Sequence, residues 1–244
     1  MAEFLNKALF FPITLIALCN IAHFKNRPDF CLVLCVLLFK YLREHSKHMK
    51  PPIKKERIFR ALVSGETTVS GIARRSNLAK SYVSRVVKEL EDTKIVWGTE
   101  KLHADHENLM REWGNLKRNI FQSIKPLMID MLMPERIKGV VKNYAVSGPF
   151  GEMLVQGESP GKPVVIYIEE CELEKKKKEL IKLGSVGKGQ VWVYAYDADV
   201  FSGRWDVKGW KVVSMPQLCA DLIALGTYAD LGIKLFKRWL DVGR

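Results

Sequence analysis

The sequence predicts an α+β protein: a helical unit that begins near residue 50, a connecting helix, and a small mixed α/β domain that ends the chain. Three observations predict it. Between residues 53 and 92, apolar side chains recur at spacings of three and four, the helical period. From Tyr144 on, long apolar runs of strand type, such as "PVVIYIEE" and "QVWVYAY", alternate with helical patterns. Charge is also unevenly spread: residues 49–100 hold 11 Lys and Arg against 6 Asp and Glu, whereas residues 151–244 hold 14 against 13, within a net charge of +12. The basic excess upstream points to a polyanionic partner. With 48% hydrophobic residues the chain can fill a core, which excludes wholesale disorder.

Residues 1–48 form an apolar extension. "ALFFPITLIALCNIAHF" runs from Ala8 to Phe24 without a charge, and "FCLVLCVLLF" from Phe30 to Phe39. The first is at the lower limit for crossing a bilayer and contains Pro12, Asn20 and His23; the second is too short to span alone. Three readings follow: a helical pair packed on the body or on a second copy, a membrane tether within residues 8–39, or an upstream extension outside the working protein, with Met49 as the start. The acidic Glu3 and the lack of a clean small-residue cleavage site argue against a secretory signal. The five cysteines are odd in number and sit in apolar settings without zinc-ligand spacing, which fits a reducing cytoplasm.

Pro51-Pro52 mark a boundary, and residues 49–102 read as one unit. In "IKKERIFRALVSGE", Ile53, Ile58, Phe59, Leu62 and Val63 give an apolar stripe, with Lys54, Lys55, Glu56, Arg57 and Arg60 assigned to the other face. Ser64-Gly65 is a stop, because Gly tolerates the left-handed conformation that closes a helix. Thr68 can cap a short helix carrying Val69, Ile72 and Ala73, "SNL" supplies a tight turn, and "KSYVSRVVKELE" forms a second helix buried through Val83, Val87 and Leu90. "KIVWGTEKL" then reads as a short strand pair turning at Gly98-Thr99. Two short helices, a tight turn and a hairpin make a winged helix-turn-helix. The second helix leaves Lys80, Ser81, Tyr82, Ser84, Arg85 and Lys88 outside, and Arg74 and Arg75 on the first helix complete the basic set. These residue types suit a DNA major groove: Arg85 for a guanine edge, hydroxyls for bases or phosphates, lysines for phosphates. Thr93-Lys94 stands where a Gly usually joins such a helix to its wing.

Residues 103–135 read as a connecting helix, with Leu109, Met110, Trp113, Leu116, Ile120, Phe121 and Ile124 on one stripe and Pro126 to kink or end it. Residues 136–244 read as the mixed α/β domain. "YAVSGPFGEMLVQ" is a turn and a short helix, "KPVVIYIEE" a strand, "ELEKKKKELIKLG" a solvated helix, "GQVWVYAYD" and "WKVVS" strands, and "MPQLCADLIALG" and "TYADLGIKLFKRWLDVG" two closing helices.

The order winged helix, "LMREWGNLKR", "YAVSGPFGEML", "PVVIYIEE", "DADVFSG" and "WKVVSMPQLCADLIALGTYADLGIKLFK" resembles the AbiEi-type antitoxin and transcriptional regulator family of type IV toxin–antitoxin systems, over about Ile53 to Leu240. The resemblance implies an N-terminal domain that binds promoter DNA and represses its own operon. It also implies a C-terminal domain for structure or toxin antagonism, with a nucleotidyltransferase-like toxin as functional counterpart. A homodimer is expected, since paired half-sites raise affinity and specificity. The alternatives are a winged helix that docks a protein and, further off, an enzyme.

The enzyme alternative rests on Ser147-Gly148, a helix and an acidic strand end, a layout similar to a minimal nucleotidyltransferase. That chemistry needs two carboxylates on one strand face to hold a divalent metal. Glu169 and Glu170 point to opposite faces, and Glu172 belongs to the next helix; Asp197 and Asp199 alternate correctly but at a strand end that reads as a turn. "GSVGKGQ" follows a helix and precedes a strand, the reverse of a phosphate cradle. His103, Asp105 and His106 cluster near the wing at a helix start without forming a ligand set. No catalytic residue, metal or cofactor is therefore expected.

Overall fold

The computed structural model describes residues 53–242; both apolar N-terminal runs, Met49 and Pro51-Pro52 lie outside the described residues. Helix α1 (Ile53–Val63) closes at Gly65, whose φ of +93° lets Gly65 N–H and Glu66 N–H reach back to Leu62 O and Ala61 O. Helix α2 (Val69–Ser76) starts at Thr68, whose hydroxyl accepts from Gly71 N–H at 3.0 Å. Asn77 takes the left-handed turn at φ +51°, and α3 (Lys80–Asp92) follows. Ile58, Phe59, Leu62, Ile72, Val83, Val86, Val87 and Leu90 are all buried and form the core of these three helices.

Two details differ from the sequence reading. Glu56 is not on a solvent face; it is fully buried, because α1 is covered on a second side by later helices. The hairpin is shorter than expected: β1 (Val96–Trp97) pairs antiparallel with β2 (His103–Ala104) across residues 98–102. Gly98 is obligatory there, since its φ is +113° and an added Cβ would lie 2.2 Å from Lys101 O. Lys94 occupies the left-handed position, at φ +58°, that glycine usually holds between such a helix and strand.

Helix α4 (His106–Ser123) is capped by Asp105, which accepts from Asn108 N–H at 3.0 Å. It does not run on past Pro126. Proline denies the preceding residue the helical conformation, and the chain emerges as strand β3 (Leu127–Asp130). After α5 (Ile137–Val140) come β4 (Tyr144–Ser147), α6 (Gly148–Val155), β5 (Val164–Glu169), α7 (Glu170–Ile181), β6 (Ser185–Val186), β7 (Val191–Tyr196), a 3₁₀ turn (Ala198–Phe201), β8 (Trp205–Val207), β9 (Trp210–Val212), α8 (Met215–Ala224) and α9 (Ala229–Asp241). Residues 144–147, read above as a turn, are a fully buried strand, and β6 and β8 were not foreseen.

The sheet has seven strands in the order β6-β3-β7-β5-β4-β9-β8. β5 lies parallel to β7, with Val164 opposite Val191 through Glu169 opposite Tyr196, and α7 is their crossover. β4 lies parallel to β9, and the other neighbours are antiparallel. β5 is buried from Val164 to Ile168 on both faces, as a central strand between layers requires. Helices α4 and α8 cover the face that carries Tyr167, Tyr194 and Tyr196; Phe121 stacks on Tyr194 with centroids 4.8 Å apart. Two glycines of "GSVGKGQ", Gly184 and Gly189, serve close approach, since a Cβ on either would strike the backbone of β3, whereas Gly187 takes a φ of +108°. Among the described residues, no helix is long and apolar enough to cross a membrane.

Candidate nucleic-acid interface

Helix α3 turns Val83, Val86, Val87 and Leu90 inward, and that burial fixes which residues face out. Lys80, Ser81, Ser84, Arg85 and Lys88 are exposed, and Tyr82 is half-buried. The Arg85 guanidinium lies over the Tyr82 ring, 5.1 Å from its centroid, which holds an otherwise free side chain against the helix surface. Ala79 offers no side-chain cap, and no acidic residue lies in the first turn, so the positive end of α3 is left uncompensated. Glu89, the acid nearest this face, is engaged by Lys55 at 2.8 Å. On α2, Arg74 is exposed and Arg75 makes only a long contact with Glu66, 3.5 Å. All eight residues singled out from the sequence therefore lie on α2 and α3, seven of them exposed.

Beyond them, the hairpin carries Trp97, 50% exposed, stacked on His103 with centroids 6.1 Å apart. The hairpin is tied to the helices by Leu102 N–H, which donates to Thr67 O at 2.7 Å.

A second constellation escaped the sequence reading. Glu56 of α1, Lys117 of α4 and Asp221 of α8 are all fully buried. Lys117 Nζ lies 3.0 Å from Glu56 Oε1 and 3.5 Å from Asp221 Oδ1, and donates to Tyr196 OH at 2.7 Å. Trp113 Nε1 and Gln217 Nε2 donate to Glu56 at 3.2 and 2.9 Å, and Tyr196 OH also donates to it. Ser147 Oγ and Tyr167 OH donate to Asp221 Oδ2 at 2.5 and 2.8 Å. Arg60 donates to Gln217 Oε1 at 2.6 Å. Burial pushes the Glu56 carboxyl up, but Lys117, Arg60 and the hydrogen bonds from Tyr196 and Gln217 outweigh it and hold it at about 2. Burial raises Asp221 and is not overcome by Lys117, because Glu56 adds a second negative charge nearby. The signal in the sequence was faint but real: Lys117 falls on the apolar stripe of α4, four residues after Trp113, and Asp221 interrupts the apolar run "QLCADLIAL".

The residues weighed for metal chemistry are otherwise occupied. Asp197 caps the 3₁₀ turn by accepting from Asp199 N–H, and both carboxylates pair with Arg57 of α1. Glu169 accepts from Asn143 Nδ2 at 2.6 Å, and the Ser147 hydroxyl is spent on Asp221. Among the described residues, no group of three or more His, Cys, Asp or Glu converges to hold a metal ion. Lys175, Lys177 and Lys178 are exposed on α7, with Lys176 paired to Glu179 at 2.9 Å, a solvated helix face. Compared with family models, curated proteins and solved structures, the chain matches none.

Proposed function

We propose that residues 53–104 are a winged helix-turn-helix that binds double-stranded DNA, with α3 as the recognition helix, and that the chain is a sequence-specific transcription regulator rather than an enzyme. One observation carries the reading: the outward face of α3 is exposed, cationic and hydroxyl-bearing from Lys80 to Lys88, while its valines anchor it beneath. An α-helix of this kind fits a major groove, and its uncapped positive end favours a phosphate. In this reading the hairpin is the wing that meets the backbone, and the exposed Arg74 and Arg75 on α2 extend the positive surface toward the flanking phosphates.

The family resemblance adds that the regulator is an AbiEi-like antitoxin that represses its own operon as a homodimer, opposite a nucleotidyltransferase-like toxin. A second reading, a winged helix that docks a protein, is favoured by the half-exposed Trp97.

Fluorescence anisotropy with DNA from the protein's own promoter separates the two. Phosphate contacts predict a log–log salt slope of about −0.9 for each contact made. Arg85→Ala should weaken promoter binding by about 1–3 kcal/mol while leaving the melting temperature unchanged. Promoter affinity unaltered in that variant, or affinity indifferent to salt, would refute the assignment of α3.

A further inference from the structure

A cleft of ≈ 450 Å³ opens between α1–α2 and the segment from the 3₁₀ turn to α9. Its volume lies within the range of small-molecule sites, roughly 300–1,000 Å³. Three arginines line it, Arg57 and Arg60 from α1 and Arg75 from α2, against a single lining carboxylate, Asp199. Arg57 is held by Asp197 and Asp199, and Arg60 by Gln217, so both guanidinium groups are fixed in place before any ligand arrives. Arg75 is the freer cation, half-exposed and only 3.5 Å-paired to Glu66. The one lining carboxylate, Asp199, is itself paired with Arg57; burial and the neighbouring Asp197 push its carboxyl up in spite of that pairing.

The remaining wall is aromatic and hydroxylic. Trp205 and Trp239 line the cleft from the C-terminal side. The Trp205 ring is oriented by its Nε1–H donating to Val213 O at 3.2 Å, and it stays 41% exposed. Ser214 sits at the start of α8, and its hydroxyl caps nothing, which leaves it and the positive helix end available to a negative group. Apolar ring surface with a few convergent polar groups is the composition of a ligand site.

We infer that this cleft binds a small organic anion with a planar ring, its carboxylate or phosphate held by Arg75 and the start of α8 and its ring by Trp205 and Trp239. The site shares Arg75 with the proposed DNA surface, and an occupant would touch α2 next to the turn that sets α3. By reciprocity, any effect of the occupant on DNA affinity would be matched by an equal effect of DNA on its own.

Isothermal titration of the full chain with benzoate and with adenosine monophosphate tests it without DNA, and the two probes separate a carboxylate source from a phosphate ester. At least one should bind with one-to-one stoichiometry and a Kd below ~1 mM. Acetate (charge without ring) and adenosine (ring without charge) should bind at least about tenfold more weakly. Arg75→Gln and Trp205→Leu, both at exposed positions, should each weaken the probe about tenfold, and Lys178→Gln on the distant α7 should not. The inference fails if neither probe binds, if acetate or adenosine binds as well, or if both cleft variants retain full affinity.

Discussion

Lys117 is fully buried, held by the carboxylates of Glu56 and Asp221, the hydroxyl of Tyr196 and the faces of Tyr196 and Tyr167, whose centroids lie 3.9 and 4.8 Å from Nζ. Such a group is far costlier to break than its presence is stabilising, because removal of one partner leaves the others uncompensated. Lys117→Met keeps the length of the side chain and deletes only the charge; it should lower stability by about 3–5 kcal/mol, read from the urea midpoint. A loss below that of an ordinary core methylene would mean that the two carboxylates find other donors. Lys94 is the opposite case, an exposed residue strained by its backbone alone. Left-handed backbone costs a non-glycine residue about 1–2 kcal/mol, and glycine's extra freedom when unfolded returns part of that. Lys94→Gly should therefore raise stability by up to about 1 kcal/mol; a decrease on chemical denaturation would show that the Lys94 side chain contributes something the geometry does not reveal. Residue identity alone told these cases apart unevenly. The missing glycine at Thr93-Lys94 was visible in the sequence, whereas the partners of Lys117 come from four separate elements that only the fold brings together.

The long, periodic elements were legible: α1 to α4, α7, α8 and α9 each show an apolar stripe or a cap, and β5 and β7 are continuous apolar runs. The strands that were missed are short. β3 has four residues directly behind Pro126, and its apolar pattern continues that of the preceding helix; β6 and β8 have two and three and are the edge strands, where burial leaves little imprint on sequence. The outward basic face of α3 was legible for a physical reason: an amphipathic helix declares its buried side, and the rest follows by subtraction. What sequence could not show was how close α4 and α8 approach. A Cβ on Gly114 would stand 2.2 Å from Ile223 Cγ2 and 2.6 Å from its Cβ. Gly114→Ala should thus cost about 1–3 kcal/mol despite alanine's better helix propensity, seen as a lower melting temperature, and Ile223→Ala should add less in that background than alone. Strict additivity would mean that the two helices separate freely.

At the scale of the whole molecule, the buried charges make stability depend on pH. Glu56 is held at about 2, below its ordinary value of 4.5, so its contribution is fully present above pH 4.5 and disappears as pH falls through about 2. That corresponds to roughly 3 kcal/mol over the window. Asp221 acts in the other sense: its raised carboxyl favours the protonated folded state, so its unfavourable contribution at neutral pH is relieved by acid. Comparison of the parent with Glu56→Gln isolates the first effect. The variant should be the less stable at pH 7, and the gap should narrow as pH drops below 4.5; a constant gap would remove Glu56 from the acid response.

Helix α1 serves two masters, since one side packs on α2 and α3 and the other brings Glu56, Arg57 and Arg60 to partners more than fifty residues further along the chain. A gene fragment that stops after Ala104 would therefore encode a headpiece whose keystone has lost its abutment. Grafting experiments that transplant the first half onto another scaffold should carry the second half with it.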